Sequence, residues 1–149
     1  MRSIGRLGRV DDSDLPHRLY AAYNRHDPAA VADLYSATGT HEDIADGRPR
    51  RGPEAIAAGL QRFFTWFPDA HWETEFQISD GSGRAAITYQ LTATLQARMG
   101  NIVPCGQRIA LRGVQVLQID NGQIGKSADY WDAATFQRQI NKTTVEETR

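Results

Sequence analysis

Two runs with strand periodicity, Ile109 to Ile119 and Ile124 to Asp132, flank the tetrapeptide Asp120-Asn121-Gly122-Gln123. Asn-Gly between alternating apolar runs predicts a tight hairpin, because both central residues of the favoured turn need positive φ. Side chains of a strand alternate between its faces. Ile109, Leu111, Gln115, Leu117 and Ile119 therefore share one face of the first strand, and Gly113 leaves a gap in it. On the second strand Ser127, Asp129 and Trp131 share a face, and Lys126, Ala128, Tyr130 and Asp132 share the other. The run from Ala85 to Gln96 is two-sided in the same way, with Ile87, Tyr89 and Leu91 on one face and Gln90, Thr92, Thr94 and Gln96 on the other. Before it, across the turn Asp80-Gly81-Ser82-Gly83, Trp72, Phe76 and Ile78 alternate with His71, Glu73, Glu75 and Gln77, which predicts a half-exposed strand.

The first third of the chain has helical periodicity instead. Leu15, Leu19, Ala22 and Tyr23 fall at i, i+4, i+7 and i+8, a helix beginning at Ser13 or Asp14. Asp27 before Pro28 opens a second helix that carries Ala30, Val31, Leu34 and Tyr35 inward. Thr40 to Gly47 reads as a short extended piece. Gly52-Pro53-Glu54 starts the most amphipathic helix, with Ile56, Leu60, Phe63, Phe64 and Phe67 in one stripe that a sheet must cover. Such a stripe is more often core than a ligand box. Asp132 caps a last helix, Ala133 to Ile140. Residues 1–12 read as a loose leader, 13–140 as a single domain and 141–149 as a polar tail. Helices gathered on one side of a strongly curved antiparallel sheet make an α+β arrangement, and a sheet that curls without closing leaves an apolar hollow suited to a small ligand.

Composition narrows the partners. With 149 residues, a formal net charge of −1 and 40% hydrophobic residues, the chain is sized for one substantial core and lacks the basic excess of a general nucleic-acid binder. The run Arg48-Pro49-Arg50-Arg51 is local, either a solvated loop or an anion contact. A lone cysteine, Cys105, permits no internal disulfide and fits a reducing compartment. No apolar run approaches the roughly 18 residues of a membrane span, and Met1 to Val10 lacks a signal-peptide core, so a cytoplasmic protein is expected.

Chemistry concentrates in a few positions. If Asp129 faces the hollow, loss of water raises its pKa towards the range useful for proton transfer; the competing reading is a solvated strand-end acid. Gln115 is the polar interruption of an apolar row, and His41 is a polar group for the cavity mouth or, alternatively, a surface hydrogen-bonding residue. These three are the candidate catalytic residues. Substrate contacts are expected from Tyr23, Asp43, Phe64 and Phe67, and from Trp72, Tyr89, Leu91 and Trp131. His41, Glu42, Asp43 and Asp46 are dense in ligand atoms, yet on one strand only His41 and Asp43 share a face, so no metal site is expected.

Taken in order, several segments resemble the SnoaL-like polyketide cyclase family: Leu19 to Asp27, Gly52-Pro53-Glu54-Ala55-Ile56, Phe67-Pro68-Asp69, Ile102-Val103-Pro104 to Arg108, Asp120 to Ile124, and Ala128-Asp129-Tyr130-Trp131-Asp132-Ala133-Ala134. The resemblance spans roughly Leu15 to Ile140. It implies the cone-shaped α+β fold of the nuclear transport factor two and ketosteroid isomerase-like superfamily, a cystatin-like roll of curved sheet around the N-terminal helices. It further implies an aspartate acid/base at Asp129 that removes a proton beside a carbonyl and sets up intramolecular aldol closure of an anthracycline-type ring, without metal or organic cofactor. A homodimer or homotetramer, paired through the outer sheet face where Gln90, Thr92, Thr94 and Gln96 lie, is implied as well. Gln115 stands where the family pattern has a pocket histidine, and His41 where it has an asparagine. The leading expectation is thus polyketide ring closure on a hydrophobic carbonyl compound. The alternatives are an epoxide-hydrolase- or hydroxylase-like tailoring enzyme, and a non-catalytic binding or assembly module whose cavity is filled by Phe64, Trp72 and Trp131 and whose Asp129 pairs with an arginine.

Overall fold

A computed structural model of the chain describes residues 14–142. The expected leader, and the tail beyond 142, lie outside the described residues. Helix α1 covers 14–24 and buries Leu15, Leu19, Tyr20 and Tyr23. Helix α2, Pro28–Ala32, is capped as expected, the Asp27 carboxylate accepting from the Ala30 N–H at 3.1 Å. It then stops short of the expected end: Tyr35 begins strand β1, Tyr35–Asp43. The two-residue strand β2, Arg50–Arg51, leads into helix α3, Pro53–Trp66. Four strands follow, β3 (His71–Ser79), β4 (Arg84–Thr94), β5 (Arg108–Asp120) and β6 (Gln123–Trp131), and helix α4, Ala133–Ile140, closes the order. The β5–β6 turn has Asn121 at φ 54° and Gly122 at φ 73°, the geometry that Asn-Gly predicts.

All six strands form one curved sheet in the order β2-β1-β6-β5-β4-β3. The β3 to β6 part is antiparallel throughout, whereas β1 lies parallel to β6. The piece expected to be short is thus a nine-residue strand, and it supplies the sheet's only parallel pair among the described residues. Its register sets Asp43 beside Asp129 and His41 beside Ser127. The core between the concave face and helices α1, α2 and α3 is made by Leu15, Leu19, Val31, Ile56, Phe67, Ile87, Ile109, Leu117 and Ile124, all buried.

Strand β3 departs from its expected two-sided pattern. The pairing shifts between Thr74 and Phe76, a bulge that puts two residues opposite one. Trp72 stays inside, paired with Leu91, but beyond the bulge Phe76 and Ile78 turn outward and are 68% and 66% exposed. No helix among the described residues is long and apolar enough to cross a membrane.

Candidate active site

Between the concave face and helices α1, α3 and α4 lies a cavity of about 430 Å³, within the range of small-ligand sites. Its apolar wall is made by Leu60, Phe63 and Phe67 of α3 and the segment after it, by Trp72, Leu91 and Leu111 of the sheet, and by Trp131 and Phe136. Tyr23 stacks on Trp72 with ring centroids 4.9 Å apart, and Trp131 meets Phe136 edge-on at 5.6 Å. The aromatic stripe of α3 is therefore both core and wall.

The polar end is built where β1, β6 and β4 present side chains to the same volume. Asp129 projects from the inner face of β6, and the Tyr89 hydroxyl, from β4, donates to its Oδ1 at 2.6 Å. Burial and the neighbouring Asp43 carboxylate push the Asp129 carboxyl up to about 7, against the opposing pull of His41 and the Tyr89 hydrogen bond. Burial also acts to raise Asp43, but His41, the Trp131 indole N–H at 3.2 Å and Arg50 together hold it below the usual carboxylate range. Two carboxyls side by side are thereby driven apart, one ionised and one near neutrality, the pattern that separates acid and base roles.

His41 is oriented from behind. Its Nδ1 lies 2.7 Å from the Ser127 hydroxyl, which is fully buried and also lies 2.7 Å from the Tyr35 hydroxyl. Its Nε2 lies 3.6 Å from Asp43. A carboxylate at that edge favours a proton on Nε2, and the Ser127 hydroxyl, which also donates to the Thr40 carbonyl at 3.4 Å, joins Nδ1 and the Tyr35 hydroxyl in one network. The result is an imidazole N–H presented at the cavity.

Arg50 enters because β2 pairs it with His41, and its guanidinium reaches Asp43 at 3.5 Å. The side chain crosses α3 at Gly59, where a Cβ would press on Nε and lie 2.8 Å from Cδ and 2.9 Å from Cζ. His41, Asp43 and Asp129 each offer one ligand atom within 4.8 Å of the others, so the cluster that a single strand could not make is completed by β6. Arg50 brings a positive charge to this cluster through Asp43.

Of the residues singled out from sequence, the cavity brings together Asp129, His41, Asp43, Tyr23, Phe67, Trp72, Tyr89, Leu91 and Trp131. Gln115 is not among them. It is fully buried behind Tyr23, its Oε1 accepting from Tyr20 at 2.7 Å and its Nε2 donating to Tyr23 at 3.1 Å, so both ends of the amide are taken and neither faces the cavity. Phe64 is likewise off the wall, buried in the core and stacked on His26 at 4.4 Å. Three residues of the polar end escape the sequence pattern. Arg50 sits in the basic run that reads as a loop, with Gly59 inside a strongly apolar helix as the available signal. Ser127 shares the Asp129 face by simple alternation, but its partner Tyr35 is hidden in an expected helix. The aromatic residues leave the cavity open, and among the described residues no arginine pairs with Asp129.

The fold recurs in solved structures at low identity. A candidate polyketide cyclase from Xanthomonas campestris pv. campestris is 21% identical with a TM-score of 0.81, over 90% of this chain and 99% of that one. A candidate hydroxylase from Streptomyces galilaeus, AclR, is 20% identical with a TM-score of 0.76, over 90% and 98%. A protein of ketosteroid isomerase-like fold from Catenulispora acidiphila, in complex with trimethylamine, is 18% identical with a TM-score of 0.75, over 89% and 95%. Among curated proteins none matches the sequence. Residues 13–140 match the SnoaL-like polyketide cyclase family, and the chain belongs to that family.

Proposed function

We propose that the protein is a cofactor-independent acid/base enzyme that closes a ring in a hydrophobic polyketide by an intramolecular aldol reaction. The observation that carries this reading is Asp129: a carboxyl brought to about 7 by burial, held by Tyr89 at one oxygen and open to an aromatic cavity at the other. A base is most effective when its pKa lies near the working pH. In the proposed step Oδ2 of Asp129 takes a proton from carbon beside a substrate carbonyl, and the electron pair moves onto the carbonyl oxygen. The Nε2–H of His41 donates to that oxyanion. The enolate carbon then attacks a second carbonyl of the folded chain, forming the ring bond, and the new alkoxide recovers the proton from Asp129. The apolar walls hold the two reacting carbons together. With a synthetic polyketide carrying the two carbonyls, Asp129→Asn should abolish ring closure and keep the dissociation constant; retained turnover would sink the reading.

The Asp43–His41 pair beside Asp129 favours one other reading, an epoxide-hydrolase- or hydroxylase-like tailoring step in which these groups activate water. Reaction in ¹⁸O-labelled water separates the two, since only the second places solvent oxygen in the product. The same proposal includes self-association. Register places Phe76, Thr88, Val114 and Tyr130 in one row across the outer face and Ile78, Ala86, Val116 and Ala128 in the next. This apolar patch suits a second copy better than the more polar end with Gln90, Thr92, Thr94 and Gln96.

A further inference from the structure

Tyr89 and Asp129 are on strands that do not touch: β5 runs between β4 and β6. Neighbouring strands lie about 4.8 Å apart, so the two backbones are separated by roughly twice that distance. For the Tyr89 hydroxyl to stand 2.6 Å from Oδ1 of Asp129, its ring must lie flat across β5. An ordinary residue on β5 would fill that path with its own side chain.

The residue paired with Tyr89 across β4–β5 is Gly113, and the residue paired with Gly113 across β5–β6 is Trp131. A Cβ built on Gly113 would collide with Cζ and Oη of Tyr89 and would lie 3.0 Å from the Tyr130 carbonyl oxygen. The neighbours of Gly113 on the same face, Leu111 and Gln115, are full-sized and buried, so this one position forms a slot. Glycine inside a strand weakens it, since it orders more backbone and packs no side chain. Its backbone carries no positive φ here that would demand glycine. What the position needs is empty space.

We propose that Gly113 is a positioning residue: its missing side chain seats the Tyr89 ring, so that the hydroxyl ties down Oδ1 of Asp129 and leaves Oδ2 as the oxygen that exchanges protons with substrate. The assignment rests on the reading of Asp129 as the base, but the slot is defined independently of any reaction. Tyr89 is a permanent donor in this arrangement, because burial and the Asp129 charge push its phenol far above its ordinary range. Oδ2 has no hydrogen-bond partner among the described residues, and Arg50 and Trp131 bond to Asp43 instead.

The test is a ¹³C NMR titration of the Asp129 carboxyl in the full chain without ligand, its resonance identified by its loss in Asp129→Asn. Tyr89→Phe removes the donor to the ionised form and should raise the apparent pKa by about one pH unit. Gly113→Ala should give the same rise although it leaves the hydroxyl in place. The double variant Tyr89→Phe/Gly113→Ala should show no further rise, because both changes remove one contact. A Gly113→Ala protein that titrates like the parent would overturn the proposal. Should Gly113→Ala fail to fold, Tyr89→Leu/Gly113→Ala, which lacks the colliding ring atoms, should restore folding; failure of that pair as well would show that Gly113 serves something other than Tyr89. These outcomes do not depend on turnover. A shifted titration combined with an Asp129→Asn enzyme that still closes rings would leave the slot standing and remove only the catalytic reading.

Discussion

The two faces of the same sheet use the same strands, the same alternation and similar residue types, yet they have opposite chemistry. On the concave face Tyr89, Gly113 and Trp131 lie in one row across three strands, and helices cover them into a cavity where Asp129 loses water and its pKa climbs. On the convex face the next row along holds Thr88 and Val114, half-buried, and Tyr130, exposed. The contrast repeats within three residues of chain. Asp129, facing inward, is raised by burial; Asp132, at the fully exposed start of α4, is lowered by the Thr135 hydroxyl and the Ala134 N–H that it caps. Alternation assigns a residue to a face, but what lies over that face decides whether a carboxyl there is raised or lowered.

The largest expected effect comes from removing the inward acid. Asp129→Asn should lower kcat by about 10³-fold, the usual scale of a general base, while equivalent surgery at Asp132 leaves turnover intact. Rates for the two variants on one substrate make the comparison directly. Equal losses at both positions would mean that the cavity confers nothing on its carboxyl.

Next in size is the effect on stability. In the unfolded chain Asp129 titrates near its ordinary value of 3.8, and in the folded protein near 7. Between those values the folded state keeps a proton that the unfolded state has released, so stability falls as pH rises through this window. Below about pH 4 the acid is neutral in both states and costs nothing extra. Above pH 7 the ionised carboxylate costs on the order of 2 to 4 kcal/mol. Urea unfolding of Asp129→Asn should accordingly show parity with the parent at pH 4 and an advantage of that order at pH 9. A difference independent of pH would mark Asp129 as an ordinary exposed acid.

Much of this contrast is legible in the sequence. The Asn-Gly turn and the alternation of β4, β5 and β6 put Tyr89, Gly113, Ser127 and Asp129 on one face, and the folded chain keeps them there. What alternation could not show was the long-range pairing. Parallel docking of β1 on β6 joins residues some 86 positions apart, His41 with Ser127, and has no local signature. Without it Tyr35 reads as one more apolar helix position, and a metal-like cluster cannot form. The bulge in β3 was equally silent: one inserted residue reverses the faces of Phe76 and Ile78, which an unbroken period-two reading puts on the Trp72 side. Gln115 shows a third limit. A polar residue on an inner face looks like a cavity group, but Tyr20 and Tyr23 of α1 reach it first.

A smaller effect is expected one step behind the cavity wall. Ser127→Ala leaves the buried Tyr35 hydroxyl and His41 Nδ1 without their shared partner. An unsatisfied buried hydroxyl costs about 1 to 3 kcal/mol, which chemical denaturation measures. The imidazole would also lose its Nδ1 partner, and the ¹⁵N NMR signal of His41 Nδ1 should shift. Turnover should fall about tenfold at unchanged KM, as expected for a group that orients His41 without touching substrate. An unchanged His41 spectrum would place the orienting force at Asp43 alone.

The smallest effect on folding, and the one that tests the outer face alone, is expected from Phe76→Lys combined with Ile78→Lys. Both side chains are already about two-thirds exposed, at 68% and 66%, so within one subunit the exchange should alter stability by no more than about 0.5 kcal/mol. The Asp129 titration should not move either, because the sheet separates the two faces. Association is a different matter. If two copies pair through the Phe76 and Ile78 rows, each lysine brings a charge into an apolar contact and faces its symmetry mate or a near neighbour, and sedimentation at micromolar concentration should pass from dimer mass to monomer mass. A parent that already sediments as a monomer would strip the convex face of that role, and the bulge in β3 would then have no account beyond its local twist.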